Sequence, residues 1–366
     1  MSDSALSAEE QAKLSLARKL RQYRYLLPPP SAAMLAKMDG SEAAPAGAAA
    51  TAPADPRLPP ADWPKLGPAA ARDRALGCLL GLAVGDAVGT TVEFKPRGSF
   101  PEVTDLTGGG PFNLPAGEWT DDTTQALCLA ESLLVDGNLD LNDFMNRLRG
   151  WLERGENTVP GRCFDIGITT RAAIERYVAT GFAAAGSEAG DTAGNGSLVR
   201  LAPVAILATP DVARARDLAS RQSRATHATV ECLDACNLFV SYLVDALDGA
   251  DKVAATRQRV LALAPNLLFI SAGEWREKTR EQILSSGYVV HTLEAALWAV
   301  WQTDNFRDAV LLAANLGDDA DSVAAAAGQL AGALYGASGI PAEWLQRLAW
   351  RDRIEQLASD LFARRG

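Results

Sequence analysis

Apolar residues recur at helical spacing along almost the whole chain from Arg72 onward. They fall at positions i, i+3, i+4 and i+7 of successive segments, which are separated by stretches rich in Gly, Pro, Asp and Asn. The segments predicted to be helices are 72–89, 123–136, 142–153, 166–180, 198–208, 211–225, 227–247, 251–264, 275–285, 291–302, 305–315, 320–335 and 341–363. Strand-like alternation occurs only weakly, at residues 102–106, and no fixed-period repeat is visible. The pattern predicts an all-α fold with one compact core, too large for a simple bundle.

The first 70 residues follow a different pattern. Residues 7–10 form a capping box, and apolar residues among basic side chains follow at helical spacing over 16–27, which predicts a short basic amphipathic helix. The stretch from there to about residue 68 is rich in Ala and Pro, so we expect a mostly unstructured linker. We therefore divide the chain into an N-terminal extension, 1–70, and a folded domain, 71–366. Two interpretations of the basic helix stay open: it packs on the domain, or it binds a partner.

Composition narrows the classes of function. The 366 residues include 35 Lys and Arg against 45 Asp and Glu, a net charge of −10, which argues against a nucleic acid partner because phosphate binding needs a basic surface. The chain lacks a run of about 18 apolar residues and a secretory pattern, so no membrane partner is expected. Five widely spaced cysteines favour a reduced, cytoplasmic protein. Two histidines exclude a His-rich zinc site, so any metal must be held by oxygen ligands.

Two acidic segments, almost 200 residues apart, each precede a predicted helix. In the first, Asp121 and Asp122 are flanked by Thr120 and Thr123, although one Asp suffices to cap a helix. The second, 317–322, holds three carboxylates within four residues, which repel one another unless a cation neutralises them. Because Mg²⁺ prefers carboxylate, hydroxyl and water oxygens, the two segments are predicted to share one binuclear metal site. Helix capping at both places is the alternative that stays open.

The segment from Gly81 to Phe94 carries glycines every four residues. We interpret Gly81 and Gly85 as places where two helices pack closely, since Gly has no side chain. Asp86, inside this apolar helix, must be paired or solvated. Glu93 follows the end of the helix and is free to act as a further metal ligand or as a base.

Three further features are candidates for binding a nucleotide. The turn Gly194-Asn195-Gly196-Ser197 opens a helix. Its backbone N–H groups suit a phosphate, although Asn-Gly turns are also common for conformational reasons alone. His227, at a predicted helix start, is either a phosphate or ribose contact or a structural residue. Tyr288 either stacks on a base or packs in the core.

The W-T-D-D-T motif at 119–123, the G-D-D-x-D-S motif at 317–322 and the segments described above resemble the ADP-ribosylglycohydrolase family, most closely its bacterial dinitrogenase reductase-activating branch. The resemblance covers the chain from about Arg72 to the C-terminus. It implies a compact all-α fold of orthogonal helices and a binuclear centre of two Mg²⁺ or Mn²⁺ ions. It also implies an enzyme that removes ADP-ribose from modified side chains.

The resemblance further implies roles for individual residues. Glu93 matches the family's mobile acidic residue, the turn at 194–197 its diphosphate-binding loop, and His227 its nucleotide contact. The C-F-D-I-G-x-T-T string at 163–170 is similar to the arginine-specific branch and implies that Asp165 lies near the substrate guanidinium. The implied metal ligands are Thr120, Asp121, Asp122, Asp319, Asp321 and Ser322.

The reaction implied is hydrolysis of ADP-ribosylarginine on a protein substrate. Asp121 or Asp122 would orient the attacking water or act as general base, and Asp165 would hold the departing guanidinium. Ser322 stands where many members have Thr, but the hydroxyl is kept and metal binding is expected to survive. Some members that act as immunity proteins carry an N-terminal extension that occludes an ADP-ribosyltransferase toxin, which implies stoichiometric toxin inhibition as an alternative function for residues 1–70. A module that binds ADP-ribose without cleaving it is disfavoured, because the acidic set is complete.

Overall fold

The computed structural model describes residues 63–259 and 261–365. The predicted basic helix and most of the predicted linker lie outside these residues. The α-helices described are α1 Pro68–Gly89, α2 Asp121–Asp136, α3 Leu141–Arg154, α4 Ile168–Thr180, α5 Ala202–Ala208, α6 Val212–Thr226, α7 Val230–Leu247, α8 Lys252–Ala255, α9 Pro265–Ala272, α10 Val289–Trp301, α11 Phe306–Ala314, α12 Ala320–Tyr335, α13 Ala342–Arg347 and α14 Arg351–Ala363. Short 3₁₀ helices are Thr90–Val92, Gly190–Thr192, Glu274–Glu277, Arg280–Gln282 and Ala337–Gly339.

The all-α prediction is confirmed. Extended pairing in the part of the chain that the structure describes is limited to isolated bridges. The weak strand predicted at 102–106 is wrong, because this segment is an irregular connection between α1 and α2. The side-chain amide of Asn315 accepts from the backbone N–H of Val103 and donates to its carbonyl, both at 2.8 Å. These two bonds replace those that a neighbouring strand would supply.

A close pair of helices, α1 and α12, lies at the centre of the fold. Both helices are buried over most of their length. A side-chain carbon placed on Gly85 would lie 2.1 Å from the carbonyl oxygen of Ala324, and one on Gly81 would lie 2.3 Å from that of Gly328. The two backbones therefore touch with no side chain between them, which confirms the packing role predicted for both glycines.

Gly85→Ala is expected to lower the free energy of unfolding by about 1–3 kcal/mol, because the new methyl group would overlap the Ala324 carbonyl and push α1 away from α12. Urea unfolding at equilibrium measures the change. Gly190→Ala is the matched control, since a methyl group there would meet no atom within 4 Å, and its effect should stay within about 0.5 kcal/mol. Equal losses in the two variants would contradict the close helix contact.

The stretch Pro68–Val92 has the length and composition of a membrane-spanning helix, with a mean hydropathy of 1.6. However, 94% of the 18-residue window that has this hydropathy is buried inside the protein. Its apolar surface is therefore already covered by the other helices, and we interpret it as the core helix of the domain.

The helix predicted at 251–264 is wrong beyond its first turn. The four-residue helix α8 is followed by irregular chain at 256–259 and 261–264. Arg257 and Arg259 both form ion pairs with Asp245 of α7. Side chains two residues apart point the same way in extended chain but not in a helix. The shared carboxylate therefore favours a backbone that the apolar pattern does not reveal.

Three other predicted helices differ in extent. Residues 275–285 contain two 3₁₀ helices and no α-helix, and the helix predicted at 198–208 begins only at residue 202. The segment 341–363 is divided into α13 and α14 by Trp350, whose φ is 55°. The Trp350 ring packs edge-on against Trp119, with centroids 5.4 Å apart. The break between α13 and α14 therefore places the Trp350 ring against Trp119, the residue immediately before the first acidic segment.

Candidate active site

Three acidic side chains from distant parts of the chain meet at one end of the α1–α12 pair. At this end, Gly89 of α1 lies against Ala320 of α12. Glu93, Asp165 and Asp321 each bring one carboxylate oxygen within 4.8 Å of the other two. Glu93 is 3% exposed and Asp321 is 2% exposed. Such a cluster of buried carboxylates needs a compensating positive charge.

Asp86 joins the first acidic segment to α1. Its carboxylate accepts hydrogen bonds from the backbone N–H and hydroxyl of Thr120, at 2.9 and 2.8 Å. It also accepts from the N–H and hydroxyl of Thr123, at 3.0 and 2.6 Å. Asp86 therefore caps α2 from a neighbouring helix and fixes the turn that carries Asp121 and Asp122. The expectation that this buried carboxylate is paired is confirmed.

The two acidic segments are in contact. The hydroxyl of Thr120 lies 3.3 Å from Asp321 Oδ2. Burial raises the pKa of Asp122, and a hydrogen bond from Ser322 opposes part of this rise. The N-cap residues of α2 and α12 are Thr120 and Asp319, and neither uses its side chain to cap its helix. The structure thus brings the implied metal ligands together, and helix capping does not account for their carboxylates.

Backbone pairing holds Glu93 beside the second acidic segment. The N–H of Phe94 donates to the carbonyl of Asp318 (2.7 Å), and the N–H of Asp318 donates to the carbonyl of Lys95 (2.8 Å). Phe94 and Asp318 have φ values of 60° and 56°, a left-handed conformation that is costly for residues other than Gly. The chain that follows α1 is therefore tied to the chain that precedes α12.

The pKa values of the clustered carboxylates are raised. Burial, and then repulsion from Asp165, raises the pKa of Glu93 to about 10. Burial, and then repulsion from Asp86, raises the pKa of Asp165 to about 8. The same two kinds of cause raise the pKa values of Asp121, Asp122 and Asp321 well above the usual range. Without a cation, the cluster therefore retains protons at neutral pH.

Two buried carboxylate oxygens of the acidic segments have no partner in the part of the chain that the structure describes. Asp122 Oδ2 and Asp321 Oδ1 are buried and accept no hydrogen bond from the described residues. A buried oxygen in this state is costly unless another group satisfies it. A divalent cation would satisfy both oxygens, and the carboxylates and hydroxyls around them suit Mg²⁺ or Mn²⁺ rather than a soft metal. The residues therefore fit a metal centre.

Without divalent metal, the protein is expected to lose stability as the pH rises from about 5 to about 8. The folded protein then holds protons that the unfolded chain has already released, so the free energy of unfolding falls until the native groups ionise, near pH 8 for Asp165 and near pH 10 for Glu93. Urea unfolding in EDTA measures the slope. Glu93→Gln should flatten it, and Glu102→Gln, at an exposed position, should not. Stability that rises with pH in EDTA would contradict the shifts.

The turn at 194–197 adjoins the acidic cluster. The side-chain amide of Asn195 donates to Asp319 Oδ2 (2.6 Å) and to Thr292 Oγ1 (2.9 Å). The backbone N–H of Asn195 donates to the carbonyl of Gly287 (3.1 Å). Asn195 therefore holds a carboxylate of the second acidic segment, a role that differs from the ligand contact expected of this turn.

Two backbone N–H groups of this turn have no acceptor within the described part of the chain. Ser197 is fully buried, and its hydroxyl accepts a hydrogen bond from Ser223 (2.8 Å), so its side chain is engaged within the protein. The backbone N–H groups of Gly196 and Ser197 donate to no acceptor among residues 63–259 and 261–365. Adjacent unpaired N–H groups suit an anion such as a phosphate.

His227 faces the same turn. It is 2% exposed, and a side-chain carbon on Gly194 or Gly196 would lie 3.4 Å from its Nε2. Burial, and then the positive charge of Arg200, lowers the pKa of His227 to about 3, so its ring is neutral at physiological pH. Nε2 has no hydrogen-bond partner in the part of the chain described.

Tyr288 lies on the other side of the turn and is joined to Gly194 by an isolated bridge. Its hydroxyl donates to Glu231 Oε1 (2.6 Å) and accepts from Asn266 (3.0 Å). The residue packs against the core but is only half-buried. The hydroxyl end of Tyr288 is therefore anchored in the protein and part of its side chain is open to solvent, so stacking on a base stays a prediction.

Sequence reasoning missed two residues that organise the site. Gln125 donates to Asp121 Oδ2 (2.8 Å), and the fully buried Arg200 donates to Gln125 Oε1 (2.7 Å). Both lie within apolar helical patterns. A polar or charged residue at a predicted core position, as at Asp86, is the signal that could have found them.

Comparison with known proteins agrees with this geometry. The family model described as ADP-ribosylglycohydrolase matches residues 67–366. The chain belongs to the ADP-ribosylglycohydrolase family and is a glycohydrolase by class, as its motifs predict.

Individual relatives narrow the comparison. The ADP-ribosylarginine hydrolase Tri1 of Pseudomonas putida (strain GB-1) is 50% identical over 350 residues, covering 94% of this chain and 92% of the relative. The ADP-ribosylarginine hydrolase Tri1 of Serratia proteamaculans (strain 568) is 51% identical over 290 residues, covering 79% of each chain. A solved ADP-ribosylglycohydrolase-related protein complex has a TM-score of 0.72 and 45% identity, and covers 80% of this chain and 98% of its own.

Proposed function

We propose that this chain removes ADP-ribose from modified arginine side chains of proteins, in a reaction that depends on two divalent cations. The observation that carries the proposal is the convergence of Glu93, Asp165 and Asp321, beside the unpartnered buried oxygens of Asp122 and Asp321. Two relatives that are about half identical bear the name ADP-ribosylarginine hydrolase, which supports the arginine linkage.

Residues of the two acidic segments would hold Mg²⁺ or Mn²⁺, with Glu93 as a further ligand. When bound, the ions would supply Lewis-acid chemistry: binding of the ribose hydroxyls and a lower pKa for a water molecule. The protein's own part is to keep the ligand oxygens in place, which Asp86 does for the first segment and Asn195 for the second. The proposed ligands are Thr120, Asp121, Asp122, Asp319, Asp321 and Ser322.

Asp121 and Asp122 are the proposed groups for orienting the attacking water and accepting its proton. Gln125 donates to Asp121 Oδ2 and holds that carboxylate. Asp121 Oδ1 has no hydrogen-bond partner among the described residues, so it remains available to a water molecule. Asp122 also offers a free oxygen, Oδ2. A positioned carboxylate of this kind contributes about 10²–10⁴-fold as a general base.

Asp165 is the proposed contact for the substrate guanidinium. A guanidinium beside it would favour its ionised form and pair with both carboxylate oxygens. As the bond to the ribose carbon breaks, Asp165 would receive the proton that Asp121 or Asp122 has taken from the water and pass it to the departing nitrogen. The neighbouring Phe164 has the guanidinium of Arg162 over its ring, at 5.8 Å. The negative charge at this place suits a guanidinium.

The ADP part of the substrate would occupy the turn at 194–197. Its diphosphate would accept hydrogen bonds from the free backbone N–H groups of Gly196 and Ser197, and His227 would contribute a neutral donor. The open part of Tyr288 would pack against the base. Asn195 ties this turn to the acidic cluster through its hydrogen bond to Asp319.

Release of ADP-ribose from a protein ADP-ribosylated on arginine tests the proposal. Hydrolysis should proceed with Mg²⁺ or Mn²⁺, stop in EDTA, and resume when the metal is added in excess. Asp121→Ala should be inactive under all three conditions. Undiminished turnover in EDTA or in the variant would contradict the metal mechanism. Release from serine-linked but not from arginine-linked substrate would contradict the linkage.

We also propose that residues 1–70 form an extension that binds an ADP-ribosyltransferase toxin, so that the chain acts as an immunity protein in the cytoplasm. The match to the Pseudomonas relative covers 94% of this chain. It therefore includes residues before position 67, where the family domain begins. A shared extension on a hydrolase supports a role beyond hydrolysis.

Deleting residues 1–62 separates the two activities, because the deletion removes none of the described residues. The shortened chain should hydrolyse ADP-ribosylarginine at the original rate and lose affinity for a purified ADP-ribosyltransferase domain. Equal affinity of the full and shortened chains would contradict the binding role. Loss of hydrolysis would show that the extension serves the catalytic domain instead.

A further inference from the structure

Arg200 occupies a position that the proposed reaction does not explain. Its side chain is fully buried, and it forms no ion pair within residues 63–259 and 261–365. Burial lowers its pKa to about 10, so it keeps its charge at neutral pH. A buried charge without an opposite charge beside it is costly. The hydrogen-bond partners of Arg200 must therefore offset that cost.

All the hydrogen-bond acceptors of Arg200 are uncharged. Nε donates to Gln222 Oε1 (2.7 Å) and Nη1 to Gln125 Oε1 (2.7 Å). Nη2 donates to the Gln222 carbonyl (2.9 Å) and to Thr226 Oγ1 (2.8 Å). The fork geometry of a guanidinium fixes these acceptors relative to one another, which a lysine ammonium would not do. Each side-chain acceptor also contacts the candidate site.

Two of these contacts pass through amides. Because Gln125 Oε1 accepts from Arg200, its Nε2 faces away and donates to Asp121 Oδ2 (2.8 Å). In the same way, Gln222 Nε2 donates to the carbonyl of Ser197 (2.9 Å). The charged donor thus determines which end of each amide carries the oxygen. One contact reaches Asp121, a proposed general base, and the other reaches the proposed diphosphate turn.

The third contact passes through a hydroxyl to His227. Thr226 Oγ1 accepts from Arg200 and lies 2.8 Å from His227 Nδ1. The hydroxyl has one proton, and Nδ1 is its only acceptor within the described residues. This proton is used within those residues only if Nδ1 accepts it, which places the proton of the neutral ring on Nε2. This N–H faces Gly194 and Gly196.

We propose that Arg200 is a positioning residue that keeps His227 in the Nε2–H form, as a donor toward the turn at 194–197, and holds Asp121 through Gln125. The identity of the acceptor, a phosphate of the substrate, rests on the proposed function. The tautomer of His227 does not rest on it, because it is argued from the contacts of Thr226 alone. The buried charge of Arg200 thereby orients both His227, the proposed phosphate contact, and Asp121, which is proposed to orient the attacking water.

The tautomer of His227 provides a direct test. The chain has two histidines, so a long-range ¹H–¹⁵N spectrum of the full chain shows the nitrogens of two rings, which His291→Gln assigns. Without ligand or metal, the proton should be on Nε2. Thr226→Val removes the hydroxyl at nearly constant shape and should abolish this preference and weaken ADP-ribose binding about tenfold by calorimetry. Thr226→Ser keeps the hydroxyl and should restore both.

Gln125→Leu interrupts the other contact and serves as the matched variant. It should leave the His227 tautomer and the ADP-ribose affinity unchanged and weaken Mn²⁺ binding about 10-fold or more. An Nδ1–H form in the original chain, or an Nε2–H form that persists in Thr226→Val, would overturn the proposal. An original chain with the Nε2–H form that does not bind ADP-ribose would support the role of Arg200 and contradict the proposed function.

Discussion

Asp321→Asn is expected to slow hydrolysis of ADP-ribosylarginine by about 10³-fold and to weaken binding of Mg²⁺ or Mn²⁺. A carboxylate oxygen of Asp321 lies within 4.8 Å of one each from Glu93 and Asp165, and its Oδ1 has no hydrogen-bond partner among residues 63–259 and 261–365. Asn keeps the size of the side chain but removes its charge. Lewis-acid stabilisation is worth several kcal/mol, and each 1.36 kcal/mol is about tenfold in rate. Steady-state release of ADP-ribose and calorimetric titration with Mn²⁺ measure the two effects.

Asp318→Asn is the matched control for this variant. Asp318 belongs to the same acidic segment but is exposed, and its φ of 56° is one that Asn adopts readily. Its hydrolysis rate should stay within about twofold of the original. Equal impairment of the two variants would assign the effect to the conformation of the segment. Full activity of Asp321→Asn would contradict the metal centre.

Asp165→Asn is expected to lower kcat for arginine-linked ADP-ribose by about 10²–10⁴-fold, the usual contribution of a positioned acid or base. The reason is that Asn neither pairs ionically with the guanidinium nor returns a proton to it. The affinity for free ADP-ribose, which has no guanidinium, should stay within about threefold. Single-turnover release and calorimetry with ADP-ribose separate the two quantities.

The control for Asp165→Asn is again Asp318→Asn, because Asp165 and Asp318 share nearly the same left-handed φ, 57° and 56°. A backbone effect of Asn would therefore act alike in both variants. If Asp165→Asn lost ADP-ribose affinity as steeply as rate, its side chain would belong to the nucleotide site and not to the guanidinium site. A rate unchanged from the original would remove Asp165 from the reaction.

The sequence predicted the fold best where apolar periodicity is unbroken. The central helices α1 and α12 are apolar on nearly every side, and such helices have few competing places in a domain. The acidic segments were recognisable for a local reason as well, because adjacent carboxylates repel one another wherever they lie. Local sequence patterns were therefore enough to predict the all-α class, the close packing at the glycines and a metal site.

Contacts between distant residues account for what the sequence did not predict. The cap of α2 comes from Asp86, which is more than 30 residues away from the helix it caps. The irregular chain after α8 is held by ion pairs with Asp245 of α7, and the ring of Trp350, where α13 and α14 are divided, packs against Trp119. No periodicity records such partners, because each depends on which elements pack together. For the same reason the role of Gln125 emerges only once Arg200 is placed beside it.

The glycine contact between α1 and α12 also governs how accurately the acidic groups are held. Side chains between two helices can change rotamer and absorb a disturbance, whereas touching backbones transmit it along their whole length. A displacement introduced at Gly81 or Gly85 would therefore arrive almost undiminished at Glu93 and Asp321. A displacement of about 1 Å in catalytic groups can lower the rate about 100-fold. The absence of side chains at Gly81 and Gly85 therefore helps to keep the carboxylates of Glu93 and Asp321 in place.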